Sequence, residues 1–564
     1  MKFSEFPYKR PDINSFETDF KNLINKFSSA NSADEQHNIY QDIIRLRKEF
    51  DTNQEISQVR YTQDTSNKKF EEEQDFFDSN SPRNKDLVND SYRALVKSKF
   101  RNELEKRYGS QLFKLAELSI KTIKPEIIDL LQQENKLTTS YTKLLSSAKI
   151  FFEGEERNLA GMSPFMQSAD RDTRVNASIA YYRFFEQNQS ELDRIYDELV
   201  KLRDKIAKKL GYKNFVALGY DRMLRTDYTA KDVADYREKI LKYVVPVAKQ
   251  LRERQAHRIG IEKLKYYDEP FEFKSGNPKP KGNPGWIVNN AKQMYSELSP
   301  ETNEFFSFMI DNELMDLENR KNKAGGGYCT MFSKYGAPFI FSNFNGTSHD
   351  IDVLTHEAGH AFQGFSSRIF EVPEYFFPTF EACEIHSMSM EFFSWPWMEL
   401  FFKEDTMKYK FHHLASSLLF LPYGVAVDEY QHFVYENPDV TPAERNKQWR
   451  EIEKKYLPWR DYDGNAFLEK GGFWQRQAHI YNSPFYYIDY TLAQVCAFQF
   501  WVKAQDNMEE AFQDYLTLCK AGGSKAFLDL VKLAKLNSPF DDGVVENVVK
   551  EINHYLSGVD DTKL

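Results

Sequence analysis

The sequence predicts a mainly α-helical protein of two or more lobes, with a small β-sheet just before its most informative helix. Three observations carry this. Apolar residues recur at helical spacing through the first two hundred residues. Short aromatic runs bounded by glycine or proline appear at only a few places. The length of 564 residues, 41% hydrophobic and 28% charged, suits a folded protein with more than one lobe.

Along the chain, Leu87, Leu95, Val96, Phe100 and Leu104 trace one apolar helix face that ends at Gly109. Leu192, Ile195, Leu199, Leu202 and Ile206 trace another that stops at Gly211. Residues 63 to 85 offer few apolar anchors and contain Pro82, so they read as a surface connection between helices. Lys149 to Glu153 has the character of a short strand, and Pro270 to Gly285 that of a loop. Further on, Gly325-Gly326-Gly327 leads into Tyr328 to Phe332, and Pro338 opens the run to Phe344. A proline there suits an edge strand, whose free backbone groups could pair with an extended peptide or simply face solvent. Asn345 to Ser348 supply a turn and a helix N-cap, after which Ile351, Leu354, Ala358, Phe362 and Phe365 form a buried helix face.

Composition narrows the function. A net charge of -10 without a long Lys/Arg run disfavours nucleic acid and anionic membrane surfaces as partners. Aromatics reach 15%, mostly for core packing, with a minority suited to a groove for peptide side chains. Cys329, Cys383, Cys496 and Cys519 are widely spaced and include no CxxC pair, which points to a reducing compartment. The first twenty residues carry no positive region followed by an apolar run, and no apolar stretch is long enough to span a bilayer. The cytoplasm is the expected location.

The helix after Ser348 carries His356-Glu357-Ala358-Gly359-His360. Two imidazoles four residues apart share one helix face and can hold one zinc ion, with the intervening glutamate placed as a base. A water on such an ion becomes acidic near neutral pH, so Glu357 would take its proton and later pass it to a leaving amine. A catalytic zinc needs a third protein ligand. The helix beginning at Phe380 puts Glu381, Glu384 and Glu391 near one face, and spacing alone does not choose among the glutamates. Cys383 and His386 point away from the Glu384 direction and read as packing or supporting groups. A closed structural zinc site is disfavoured, because such sites draw on cysteine and this neighbourhood offers glutamates. Farther along, Gly471 to Trp474 and His479 to Tyr490 form the densest aromatic and polar run. Its phenols suit either packing or donation to a developing oxyanion.

Together these pieces resemble the M3 family of zinc oligopeptidases, especially its oligoendopeptidase F and Pz-peptidase branch. The carrying residues are Phe152 to Glu156, Ala207 to Gly211, Gly325 to Cys329, His356 to His360, Glu384 to Ser387 and His479 to Tyr490. The resemblance implies one Zn2+ per chain, held by His356, His360 and Glu384, with Ser387 three positions after that glutamate. It implies Glu357 as general base, and His479 and Tyr490 as donors to the carbonyl, with Tyr486 or Tyr487 able to stand in for Tyr490. Glu381 is then left a supporting or substrate-facing role. It also implies two helical lobes around a deep channel, with residues 1–150 as the N-terminal lobe and 151–564 as the catalytic region. The expected partners are short unfolded oligopeptides cut at internal bonds. Two other readings are an enzyme that trims from a free C-terminus and a peptide-binding scaffold, the latter opposed by the intact set of ligands and base.

Overall fold

The computed structural model describes all 564 residues and is roughly 70% helical. Five helices open the chain: α1 (Ile13–Ser29), α2 (Ala33–Gln63), α3 (Lys68–Val96), α4 (Arg101–Tyr108) and α5 (Ser110–Thr122). Their starts follow local chemistry. Asp12, Ser32 and Asn67 each accept backbone N–H bonds at the first turn of α1, α2 and α3, satisfying donors that the helix itself leaves free. Phe16, Phe20, Phe50, Phe77, Leu87, Leu95, Leu104 and Phe113 meet in a core separate from that of the rest of the chain.

Two expectations fail here. Residues 63 to 85 are no surface connection, because most of them lie in α3, with Pro82 inside the helix. The apolar face from Leu87 to Leu104 belongs to two helices, broken at Lys97–Phe100 before α4 begins. Gly109, at φ +88°, ends α4 as expected.

A further helix, α6 (Ile128–Ser146), buries Leu130, Leu131 and Tyr141 in the larger core, and the hairpin of β1 (Ile150–Phe152) and β2 (Glu155–Arg157) follows. The larger core holds most of the remaining chain. Within it sits a three-stranded sheet of β3 (Met315–Glu318), β4 (Tyr328–Phe332) and β5 (Ala337–Phe344), in the order β3-β5-β4. The strand opened by Pro338 is thus central rather than an edge. Proline is tolerated because β3 pairs with β5 only from Ile340 onward, so at Pro338 the strand has β4 alone as neighbour. The outer strand is β4.

Behind this sheet lies the HExxH helix, His349–Ser367. Its start departs from expectation, since Ser348 makes no side-chain cap. Instead the Asp350 carboxylate accepts the N–H groups of Asn345 and Gly346, both at 2.9 Å, and holds the turn. The glutamate helix, Phe380–Phe393, is buried on nearly every side, and the tyrosine helix, Tyr487–Asp506, packs against it.

The segment joining the HExxH and glutamate helices leaves its own core. Val372 and Tyr375 are buried among the N-terminal aromatic residues, and the Tyr375 hydroxyl accepts the Leu112 N–H at 2.8 Å. Glu374 pairs with Arg47 of α2 at 2.7 Å and accepts the Tyr92 hydroxyl of α3. Both partners are buried. No helix is long and apolar enough to cross a membrane.

Candidate metal centre and active site

Two helices cross closely enough to bring three ligand atoms together. A methyl group on Gly359 would sit 2.6 Å from the His386 carbonyl and the Ser387 Cα, so only glycine lets the glutamate helix lie this near. As a result Glu384 Oε2 stands 3.2 Å from His356 Nε2 and 3.3 Å from His360 Nε2. All three atoms lie within 4.8 Å of one another. Two imidazoles and one carboxylate are a donor set that suits zinc.

His356 and Glu384 are each oriented by neighbours. His356 Nδ1 faces Glu391 Oε1 at 2.7 Å, while Glu391 Oε2 faces His413 Nε2 at 2.8 Å, and Trp395 Nε1 donates to His413 Nδ1 at 3.1 Å. This leaves His356 Nε2 free for an ion. The Glu384 carboxylate is wholly buried, accepting the Ser387 hydroxyl at 2.8 Å on Oε2 and the Tyr486 hydroxyl on Oε1. Burial opposes its charge, yet the two imidazoles hold its pKa well below the usual carboxylate range. For His356 burial likewise opposes the charged form, but the bonds to Glu384 and Glu391 raise it well above the ordinary value. Glu384 and Glu391 thus keep their negative charge around the two imidazoles.

Glu357 points into the same space. Its Oε1 lies 3.1 Å from where a Cβ on Gly327 would be, so the glycine run after Ala324 clears room over the base. Its Oε2 is buried without a partner. Burial raises its pKa, against the pull of His356 and His360.

The far wall carries the aromatic run. Tyr423 donates to Gln477 Oε1 at 2.9 Å, and Gln477 Nε2 lies 2.9 Å from His479 Nδ1. With the amide so assigned, Nδ1 accepts and Nε2 keeps its proton, 3.1 Å from the Tyr490 hydroxyl. Burial pushes the His479 pKa down to about 4, which leaves a neutral donor near pH 7. His479, Tyr486 and Tyr490 line a cavity of about 440 Å³ together with His356, Glu357, His360 and Glu384. Tyr487 is turned elsewhere, edge-on to Phe420 and Tyr423.

The patterns of known families are now informative. That of the peptidase M3 N-terminal domain matches residues 3–123, and that of peptidase family M3 matches residues 164–279 and 290–549. The chain belongs to peptidase family M3. It is 60% identical to Pz peptidase A, solved with an inhibitor, over the full length of both chains at a TM-score of 0.99. A candidate oligoendopeptidase F from Bacillus anthracis is 57% identical, covering all of this chain and 99% of that one at a TM-score of 0.95. An oligoendopeptidase F homolog from Borreliella burgdorferi is 24% identical over 434 residues, 71% of this chain and 70% of that protein. The chain is a metallo-endopeptidase of the oligoendopeptidase F branch.

In this peptidase the glutamates that spacing left undecided have separate surroundings. Glu384 meets the imidazoles, and Glu391 orients His356 from behind. Glu381 accepts the Thr379 hydroxyl at 3.0 Å; burial raises its pKa well above the ordinary value, and the nearby Asp489 adds to this. Cys383, expected to point away, lines the cavity beside Glu384, whereas His386 is buried behind it against Tyr515. All four cysteines are free thiols. Sequence reasoning missed His413 and Gln477. The first is remote in the chain, and the second stands two residues before His479, a position the motif itself could have drawn attention to.

Proposed function

We propose that this peptidase is a zinc-dependent endopeptidase that cuts internal bonds of short unfolded oligopeptides, with Glu357 as general base. The observation that carries this is the convergence of His356 Nε2, His360 Nε2 and Glu384 Oε2 on the cavity floor beside the unpartnered Glu357 Oε2. Bound zinc supplies Lewis acidity that acidifies water and polarises a peptide carbonyl. Glu357 accepts the proton of the attacking water and delivers it to the departing amine. Tyr490, backed by the neutral His479, donates to the carbonyl oxygen as charge builds there. Tyr486 holds Glu384 in place and has no hydroxyl proton left for substrate.

Residues 1–150 form the N-terminal lobe in this reading and 151–564 the catalytic region, supported by the separate core around Phe16 to Phe113. Free thiols agree with a cytoplasmic location. A peptide blocked at both ends and quenched internally is expected to be cut while casein survives, with chelation abolishing turnover and zinc restoring it. Cleavage seen only when the C-terminus is free would replace this reading with trimming from the end. Glu357→Gln should keep stoichiometric zinc and lose about 10²- to 10⁴-fold in turnover. Turnover at the wild-type rate in that variant would remove Glu357 as the base.

A further inference from the structure

The active-site cavity does not end at Tyr486. Tyr92, Ser119, Met223, Leu224, Phe380 and Tyr486 line both it and an adjoining chamber of about 570 Å³, so the two lie side by side. One wall of the chamber is a face of α3, where Ser81, Lys85, Val88 and Tyr92 recur at three- and four-residue spacing. The opposite wall includes Arg222 and Asn482.

The other basic side chains lining this chamber, Arg47 and Arg222, are each bonded to a carboxylate. Arg47 pairs with Glu374 at 2.7 Å. Glu134 of α6 is shared by Arg203 at 2.6 Å and Arg222 at 3.0 Å. Lys85 has none. It is exposed to the chamber, and although Glu134 and Asp51 are near enough to act on its charge, neither bonds it. The crowded surroundings, and Arg222 after them, push its pKa down. Asp51 is already engaged by the Asn84 amide at 3.2 Å. Of the charged groups lining the chamber, Lys85 and Arg222 stand against Glu134 and Asp51, with Arg47 committed to Glu374, and burial pushes the remaining acid, Glu55, up to about 7. Lys85 is thus the one basic group lining the chamber with no bonded carboxylate.

We propose that Lys85 binds a carboxylate of the substrate peptide, either its C-terminus or an acidic side chain, while the peptide's scissile bond lies over His356, His360 and Glu384. The assignment rests on the peptide-hydrolase reading above. A carboxylate in this chamber gains a charge-assisted hydrogen bond in a setting less screened than bulk water. Two fixed anchors in adjoining cavities also favour peptides whose length matches the span between them.

The test uses zinc-loaded Glu357→Gln protein, which retains peptide, with and without Lys85→Gln. Three fluorescent peptides of one parent sequence are titrated: one with a free C-terminus, one amidated, and one amidated with an added glutamate. Lys85→Gln is expected to raise Kd about tenfold for the free-carboxylate or the glutamate peptide, and to leave the neutral amidated peptide unchanged. Loss confined to the first peptide identifies the C-terminus as the ligand, and loss confined to the third identifies the side chain. Lys85→Glu should deepen the same loss. Equal Kd values in the presence and absence of Lys85, or an equal loss for all three peptides, would overturn the proposal. The two readings fail separately, because peptides that bind through Lys85 yet are never cut by the wild-type protein sink only the hydrolysis.

Discussion

Tyr486 and Tyr490 lie four residues apart and stack with ring centroids 5.0 Å apart, yet their hydroxyls do different work. Tyr486 is committed to Glu384, so Tyr490, whose partner is His479, is the phenol free to meet a carbonyl. Tyr490→Phe should lower kcat by about 2 to 4 kcal/mol of barrier and leave KM nearly unchanged, as steady-state kinetics on a quenched peptide will show. Glu391 works at one remove, through the ring it orients. Glu391→Gln should weaken zinc binding about 10- to 100-fold in a chelator competition, whereas Glu381→Gln, facing Asp489, should not. Helical spacing placed Glu381, Glu384 and Glu391 near one face but could not rank them. The ranking comes from what lies across the gap, His413 facing Glu391 and Asp489 beside Glu381, neither of which belongs to the glutamate helix.

Helix crossing decides whether the ligands meet. Gly359→Ala would force the HExxH helix away from backbone atoms of the glutamate helix. It should cost about 1 to 3 kcal/mol in thermal unfolding and weaken zinc binding in the same protein. The HExxH helix was legible because it buries one continuous apolar face of Ile351, Leu354, Ala358, Phe362 and Phe365. Residues 63 to 85 were not. In α3 Ser81, Pro82, Asn84 and Lys85 line the polar chamber beside the active site, and a helix face turned to such a chamber has the composition of a surface loop. Pro338 misled for a related reason: its strand is central, but its missing N–H falls beyond the end of β3, a register that no local pattern contains.

Across the whole molecule, buried ion pairs tie distant helices together. Glu134 joins α6 to Arg203 and Arg222, and Arg203 also donates to the Tyr481 carbonyl at 2.6 Å. Burial opposes the Glu134 charge, but Arg222 and Arg203 outweigh it and bring its pKa from 4.5 to about 2. A carboxylate depressed on folding contributes stability that is full above its unfolded pKa and disappears as pH falls through the folded value. The wild type should therefore lose on the order of 3 kcal/mol between about pH 5 and pH 2 through this group. Glu134→Gln should be less stable at pH 7 and show a shallower decline over that interval in denaturant titrations. The segment carrying Val372 and Tyr375 has a different consequence. It is a tether from the first lobe, and both of its ends are the roots of helices that carry the proposed metal ligands. Should a peptide wedge the lobes apart, the displacement reaches the imidazoles and Glu384 through covalent chain, so admitting substrate and setting the ligand cage become one mechanical event.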